Sequence, residues 1–246
     1  GALAPAPMRQ PARPADPANS LPPIVMPSSM ALARPVLFTS DLHLSPERPA
    51  ARAAFRAFAD GPAREAAAVY LLGDLFDWWI GDDQMREPFV AGIVADLRRI
   101  SDAGIPLFVG HGNRDFMLGA RFAQAAGATL LPEQQVLDLA GIPTLICHGD
   151  ELCTDDTKYI EYRARMRDPA TKARLLRLPY IARQAIAWWI RYRSRGDKVL
   201  KADHIMNVND AAVTDMLRAH GVQRMIHGHT HRPARHEHIV DGKTCE

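Results

Sequence analysis

The sequence predicts an α/β fold in which helices flank a β-structure. Two observations favour it: short apolar runs each end in a polar cluster, and helical patterns follow those clusters. The length of 246 residues, of which 47% are hydrophobic and 24% charged, suits one compact domain of the larger kind or a domain with an insertion. This composition excludes a wholly disordered chain, a collagen and a coiled-coil rod.

Five apolar runs are predicted as strands, and each leads into a polar motif. In chain order these are residues 36–40 before Asp41-Leu42-His43, 69–72 before Gly73-Asp74, 106–110 before His111-Gly112-Asn113-Arg114-Asp115, 144–147 before His148-Gly149-Asp150, and 223–226 before His227-Gly228-His229-Thr230-His231. Because open α/β sheets bind ligands beyond the carboxyl ends of their strands, we expect these motifs to converge.

The residues of these motifs have the chemistry of a site for two divalent metal ions. Such a pair needs several oxygen and nitrogen ligands, ideally with one carboxylate that bridges both ions. Asp41 and His43 can point to one side of an extended segment, and Asp74 follows a glycine that permits a tight turn. The candidate ligands are Asp41, His43, Asp74, Asn113, His148, His229 and His231.

Each motif alone also has an ordinary structural explanation. An Asp-x-His pair is more often part of a turn or a satisfied surface pair, and His-Gly-His-Thr-His alone is as often a chance loop as a zinc-binding tract. The joint occurrence of the motifs at the ends of five predicted strands favours the metal site.

Helical periodicity replaces the alternation of strands and helices over residues 154–207, which we interpret as a helical insertion over the active edge of the sheet. One predicted helix face carries Ile181, Ala185, Trp188, Trp189 and Tyr192. Residues 163–201 contain 12 Lys or Arg and two Asp, a local charge of +10 in a chain whose net charge is +2. This segment suits contact with an anionic bilayer; alternatively its aromatic side chains pack on the sheet and its arginines are solvated.

The ends of the chain, its cysteine count and its charge further limit the class of protein. Residues 1–33 are rich in Ala and Pro, so we expect a disordered tail before a domain of residues 34–246. From residue 236 onward we expect one strand that stops at Glu246, with the closing strands of the domain absent. Three cysteines favour a reducing compartment, and no apolar run approaches the roughly 20 residues of a membrane span. The near balance of charge excludes a polycation that coats nucleic acid.

Longer segments around the motifs make the sequence similar to the calcineurin-like metallophosphoesterases. The resemblance covers nearly everything after residue 35 and rests on S-D-L-H-L at 40–44, G-D-L-F-D-W-W-I-G-D-D at 73–83, H-G-N-R-D-F at 111–116, H-G-D-E-L-C-T-D-D at 148–156 and I-H-G-H-T-H-R-P at 226–233. It implies a β-sandwich flanked by helices, with the insertion as a helical lid over the active site. The longer segments resemble the branch of the family that acts in lipid A biosynthesis.

The resemblance also implies an activity and its metals. The expected enzyme cleaves the pyrophosphate of UDP-2,3-diacylglucosamine at the α-phosphorus with metal-activated water, and releases UMP and 2,3-diacylglucosamine 1-phosphate. Two Mn²⁺ ions per chain are implied, although the order of affinities alone favours zinc or copper. The implied ligand sets are Asp41, His43, Asp74 and His231 for one ion, and Asp74, Asn113, His148 and His229 for the other, with Asp74 as the bridge.

Arg114, together with Asn113 and Asp74, is expected to be catalytic. Its planar donors suit the negative charge that grows on the phosphoryl oxygens, while its ordinary alternative is a surface ion pair with Asp115. The implied substrate contacts are Asn113, Arg114, Asp156, Tyr159, Ser194, Lys198, Lys201 and His229. Lys198 departs from the asparagine of the family at that position. Trp79 and Phe116 either line the entrance of an acyl-chain groove or belong to the core.

The implied partners are the acylated UDP-sugar and the inner face of the cytoplasmic membrane. We expect a monomer that is cytoplasmic, attached peripherally to that membrane, and without a nucleic-acid partner. The alternatives are a metal-dependent phosphodiesterase or nuclease of the same superfamily, or a scaffold that keeps the fold without catalysis. The presence of all seven candidate ligands and Arg114 argues against the scaffold.

Overall fold

A computed structural model describes residues 34–200 and 208–246; for residues 191 and 193–200 it describes the backbone alone. The predicted tail at 1–33 and the last part of the predicted insertion, 201–207, lie outside the described residues.

Four parallel strands form the first sheet, in the order in which they follow one another in the chain. They are β1 (Val36–Thr39), β2 (Ala68–Leu71), β3 (Leu107–Val109) and β4 (Thr129–Leu130). Their register sets Val36 opposite Ala68, and Tyr70 opposite Phe108. β2 and β3 are buried along their whole length, as expected for parallel strands covered on both faces.

Three strands form the second sheet, with β6 in the middle. They are β5 (Gln134–Leu139), β6 (Ile142–Cys147) and β7 (Arg224–Ile226). β5 and β6 are antiparallel and joined by a two-residue turn in which Ala140 and Gly141 both have positive φ, whereas β6 and β7 are parallel. All five strands predicted from the sequence are therefore present, with small differences at their ends.

Eight α-helices connect or cover the strands in the described part of the chain. They are α1 (Pro49–Asp60), α2 (Pro62–Glu65), α3 (Pro88–Asp102), α4 (Ala120–Ala126), α5 (Thr157–Arg167), α6 (Pro169–Leu176), α7 (Tyr180–Leu200) and α8 (Asp210–His220). Two short 3-10 helices lie at Asp82–Arg86 and Asp150–Leu152. The helices α5 to α7 occupy most of the region predicted as a helical insertion.

The two sheets pack face to face, and helices cover both outer faces. Between the sheets, Tyr70 and Phe108 stack with ring centroids 4.6 Å apart and pack with Leu137 and Ile146 of the second sheet. Outside the first sheet, α1, α3 and α4 enclose the largest apolar cluster of the described residues. Outside the second sheet, α8 contributes to a smaller cluster. This arrangement confirms the predicted β-sandwich flanked by helices.

The last residues form a hairpin instead of the single strand predicted from residue 236 onward. Its strands are β8 (His238–Val240) and β9 (Lys243–Cys245). Asp241 and Gly242 between them both have positive φ, 50° and 78°, as a tight two-residue hairpin turn requires. The single-strand prediction was wrong because Asp241 and Gly242 form a turn that reverses the chain and pairs β9 with β8. No helix in the described part of the chain combines the length and the apolar character that a membrane span requires.

Candidate metal centre

The seven candidate ligands lie just beyond the carboxyl ends of five strands drawn from both sheets. Asp41 and His43 follow β1, Asp74 follows β2, Asn113 follows β3, His148 follows β6, and His229 and His231 follow β7. Because both sheets contribute, the side chains meet where the edges of the sandwich come together. The convergence predicted from the sequence is therefore present.

Asp41, His43 and His231 form the first of two clusters. Nε2 of His43 lies 3.1 Å from Nε2 of His231, and the two rings stack with centroids 4.9 Å apart. Oδ1 of Asp41 lies 3.7 Å from Nε2 of His231 and 4.0 Å from Nε2 of His43. These donor atoms all lie within 4.8 Å of one another, which is close enough to share one cation.

His148, Asn113 and His229 form the second cluster. Nδ1 of His148 donates to the backbone carbonyl of Leu72 at 3.0 Å, which fixes the ring so that Nε2 faces the second cluster. Nε2 of His148 lies 3.3 Å from Oδ1 of Asn113, close enough for both atoms to bind one cation. The ring of His229 stands edge-on to that of His148, with centroids 5.2 Å apart.

Asp74 connects the two clusters. Its Oδ2 lies 3.5 Å from Nε2 of His43 and 3.9 Å from Nε2 of His148, while its Oδ1 accepts the backbone N–H of Arg114 at 2.8 Å. One carboxylate oxygen thus faces both clusters, and the other is fixed to the backbone. Burial and the charge of Asp115 raise the pKa of Asp74 well above its ordinary range, an effect that neighbouring cations would oppose.

The chemistry of these groups fits divalent cations. Oδ2 of Asp41 accepts the backbone N–H of His229 at 2.7 Å, but its Oδ1 is buried and has no hydrogen-bond partner. A buried carboxylate oxygen without a partner is costly, and a bound cation would satisfy it. Burial, with smaller effects of neighbouring charges, lowers the pKa of both His43 and His229 to about 4, so both rings are neutral at physiological pH, as metal ligands must be.

The backbone at the candidate ligands has an uncommon conformation. Among the described residues, seven other than glycine have positive φ, and five of the seven are candidate ligands: Asp41 (58°), His43 (45°), Asp74 (52°), His229 (73°) and His231 (55°). Such residues are rare outside turns and cluster at functional sites. The segment of Asp41 and His43 is therefore not extended as predicted, although both side chains reach the first cluster.

Glycine is required where the loops after β2 and β3 touch. A Cβ atom on Gly112 would lie 2.1 Å from Oδ1 and 2.4 Å from the backbone N of Asp74. A Cβ atom on Gly73 would lie 2.5 Å from the backbone N of Gly112. No side chain fits between the two loops, so both glycines allow Asp74 to approach the motif that carries Asn113.

Asp115 holds the same two loops together. Its fully buried carboxylate accepts backbone N–H groups of Gly112 (2.8 Å), Asp74 (3.2 Å), Leu75 (2.8 Å) and Phe76 (3.4 Å). The alternative of a surface ion pair between Arg114 and Asp115 is therefore wrong, because Asp115 is buried and its oxygens are occupied by backbone donors.

Two of the predicted substrate contacts lie at the start of α5, beside the second cluster. Asp156 caps this helix by accepting the backbone N–H of Tyr159 at 3.1 Å. The Tyr159 ring lies nearly parallel to that of His229, with centroids 6.3 Å apart, and its hydroxyl donates to Asp150 at 2.6 Å. For Ser194 and Lys198 the side chains, and for Lys201 the whole residue, lie outside the described residues.

Trp79 and Phe116 both lie in the apolar cluster outside the first sheet. Trp79 is 2% exposed and packs against Phe76 and Phe122, with centroids 4.7 and 5.2 Å away. Phe116 is also buried, but the ammonium group of Lys172 on α6 lies 5.8 Å from its ring centroid. Of the two alternatives for Trp79, groove entrance or core, the structure therefore supports the core.

Sequence reasoning missed the contacts that attach α5 to the candidate metal centre. Tyr159, Arg163 and Arg167 lie four residues apart on one face of α5, and all three donate to the buried carboxylate of Asp150. Burial alone would raise the pKa of Asp150, but the charges of Arg167 and Arg163 outweigh it and hold that pKa below its usual range. The spacing of four was the signal available in the sequence.

The fold and the clustered oxygen and nitrogen ligands are those of a metallophosphoesterase. The family model described as calcineurin-like phosphoesterase matches residues 34–233, and the chain belongs to this family. Membership implies that the protein binds divalent metal ions.

Three relatives with close sequence similarity share the same name. The chain is 48% identical over 209 residues to the UDP-2,3-diacylglucosamine hydrolase of Escherichia coli O81 (strain ED1a), with 85% of this chain and 87% of that protein covered. It is 47% identical to the enzyme of the same name from Pseudomonas aeruginosa (strain UCBPP-PA14), with 85% and 86% covered. For that of Edwardsiella ictaluri (strain 93-146), the identity is 47%, with 85% and 80% covered.

Proposed function

We propose that this protein hydrolyses UDP-2,3-diacylglucosamine at the α-phosphorus and releases UMP and 2,3-diacylglucosamine 1-phosphate. The observation that supports the substrate is the identity of 47–48%, over 85% of the chain, to relatives named UDP-2,3-diacylglucosamine hydrolase. The clustered ligands at the strand ends supply the chemistry that such a hydrolysis needs.

Two Mn²⁺ ions per chain complete the proposed site. Asp41, His43, His231 and Asp74 would hold the first, and Asp74, Asn113, His148 and His229 the second. When bound, a pair of divalent ions supplies water activated near neutral pH and neutralises charge on the phosphoryl group. The position of Asp74 Oδ2 between His43 and His148 supports the bridging role, and the absence of sulfur from the donor set is compatible with manganese.

Arg114 would bind the phosphoryl oxygens. Its backbone N–H donates to Oδ1 of Asp74, and after burial its positive charge is the largest cause of the lowered pKa of His43. Among the described residues it makes no ion pair within 4 Å, which leaves its donors for a substrate. Asn113, next to it, would orient the phosphoryl group from the side of the second cluster.

The residues of the insertion would hold the rest of the substrate. We assign Asp156, Tyr159, Ser194, Lys198 and Lys201, with His229, to the head group. Tyr159 beside His229 supports a position of α5 at the rim of the metal centre, as expected of a lid. We also assign Phe116 to the acyl-chain groove because it faces Lys172 of the insertion, and we leave Trp79 in the core.

We also propose that the protein is a monomer that attaches to the inner face of the cytoplasmic membrane. The helix α7 exposes Ile181 (78%), Trp188 (65%), Trp189 (55%) and Tyr192 (69%), so these side chains do not pack on the sheet. The rings of Trp188 and Tyr192 stack with centroids 5.6 Å apart. An exposed apolar face in a segment of charge +10 suits insertion between anionic lipid head groups.

A substrate panel in H₂¹⁸O tests the function. With Mn²⁺ present, we expect UMP from UDP-2,3-diacylglucosamine, none from the deacylated UDP-sugar, and no cleavage of single-stranded DNA. Attack at the α-phosphorus places one ¹⁸O atom in UMP. Equal turnover of the deacylated sugar, or cleavage of the DNA, would favour the broader phosphodiesterase or nuclease, and no turnover of any substrate would favour the scaffold.

A further inference from the structure

Two arginines of α5 contact the loops that carry the ligands of the second cluster: Arg167 contacts both loops, and Arg163 contacts the loop after β6. Nη2 of Arg167 lies 3.2 Å from the carbonyl oxygen of Gly112, the residue before Asn113. The same nitrogen lies 3.4 Å from both carboxylate oxygens of Asp150, two residues after His148. Nε of Arg163 donates to Oδ2 of Asp150 at 2.9 Å. One helix of the insertion thus connects the loop after β3 to the loop after β6.

A second carboxylate, that of Glu133, holds the two arginines in place. Oε2 of Glu133 accepts from Nη2 of Arg163, and Oε1 accepts from Nη1 of Arg167, both at 2.9 Å. The arginine side chains are 15% and 9% exposed, and that of Asp150 is fully buried. Nη2 of Arg163 also lies 3.8 Å from Oε2 of Glu151, so two arginines and three carboxylates share this network, in which only the Glu133 side chain is largely exposed, at 46%. Charge-assisted hydrogen bonds of this kind fix side chains strongly.

We propose that Arg167 and Arg163 are positioning residues for the second metal site: by holding Gly112 and Asp150 they set the approach of Asn113 Oδ1 to His148 Nε2. Neither arginine contacts a reacting atom in this arrangement. Groups that orient metal ligands from outside affect metal affinity about 10- to 100-fold. The inference rests on the proposed two-metal function and adds that the insertion, besides covering the substrate, helps to build the metal centre.

Manganese titration of the full chain tests the inference, with free Mn²⁺ measured by electron paramagnetic resonance. R167A should bind one ion as the wild type does, at Asp41, His43 and His231, and the other at least about tenfold more weakly. R167K should recover part of the loss because it keeps the charge but lacks the second nitrogen that binds Glu133 while the first contacts both loops. The matched control R165A, an exposed arginine of the same helix, should titrate as the wild type.

Equal affinities in R167A and R165A would overturn the inference. So would an equal loss at both sites of R167A, since that indicates general unfolding. If R167A does not fold, E133Q decides, because it weakens the network without leaving Asp150 unpaired. The second ion should then bind a few-fold more weakly, and wild-type binding would again overturn the inference.

The titration contains no substrate, so its outcome is separate from that of the proposed function. A wild-type chain that binds two ions but releases no UMP refutes the substrate assignment and leaves the positioning role intact. A wild-type chain that releases UMP while R167A binds manganese normally refutes only the positioning role.

Discussion

Asp41 and His229 are 188 residues apart in the sequence, yet the backbone N–H of His229 donates a hydrogen bond of 2.7 Å to Oδ2 of Asp41. Asp41 follows β1 of the first sheet, and His229 follows β7 of the second. The bond therefore joins the two halves of the sandwich at the candidate metal centre. It also fixes the carboxylate so that the unpartnered Oδ1 faces His43 and His231.

Replacing His43 with alanine should abolish most of the activity without unfolding the chain. The substitution removes a nitrogen that lies 3.1 Å from His231 Nε2 and 3.5 Å from Asp74 Oδ2, so the first ion loses a ligand. We expect the rate of UMP release to fall about 100-fold or more, with an unchanged circular dichroism spectrum. The control is H236A, an exposed histidine outside the ligand set. Undiminished UMP release by H43A would refute its role as a ligand.

The G112A variant should lose both metal binding and activity. The added methyl group would lie 2.1 Å from Oδ1 of Asp74, so one of the two loops must move and the bridging carboxylate moves with it. The matched control is G92A within α3, where the new methyl group meets nothing closer than 3.5 Å and alanine favours the helix. Manganese titration of both variants is the measurement; wild-type binding in G112A would show that the loops can separate without consequence.

The D115N variant should lower the free energy of unfolding by about 1–3 kcal/mol. Asp115 accepts hydrogen bonds from four backbone N–H groups. An asparagine replaces one of the two acceptor oxygens with an NH₂ donor, so it cannot satisfy all four. Urea denaturation measures the change. The comparison is D102N, whose exposed carboxylate is bonded to Arg98 and should contribute less than about 1 kcal/mol. Equal stability of the two variants would contradict the structural role of Asp115.

The W188A/W189A double variant should bind anionic vesicles at least about tenfold more weakly than the wild type, because each indole offers a large apolar surface to the bilayer. Both side chains are more than half exposed, so thermal stability should not change. The control is I239A, an exposed apolar residue in the C-terminal hairpin. Vesicle co-sedimentation is the measurement, and equal binding by all three proteins would locate the membrane contact elsewhere.

The strand ends were predictable from the sequence because each strand is a short apolar run that leads directly into its ligand motif. Because ligand sites form at the carboxyl ends of the strands, Asp41, Asn113 and His229 could be predicted to lie close together before any contact between them was known. The motif at Gly73-Asp74 indicated a close approach, and the Cβ distance at Gly73 confirms that one is present.

Contacts between distant residues were not predictable in this way. The bond from Arg167 to the carbonyl of Gly112 joins residues 55 positions apart, and no local period encodes it. The left-handed backbone of Asp41 and His43 was equally unpredictable from the sequence, because residues other than glycine adopt this conformation only when the surrounding structure compensates for its cost. Asp115 seemed a surface residue by its charge, whereas its neighbours in space are backbone N–H groups.

Anomalous diffraction from crystals of the protein grown with Mn²⁺ tests the dinuclear centre most directly. The arrangement of the ligands predicts two manganese peaks in each chain. One should lie against Asp41, His43 and His231, the other against Asn113, His148 and His229, with Asp74 in contact with both. A single peak, no peak, or peaks away from these side chains would contradict a two-metal hydrolase.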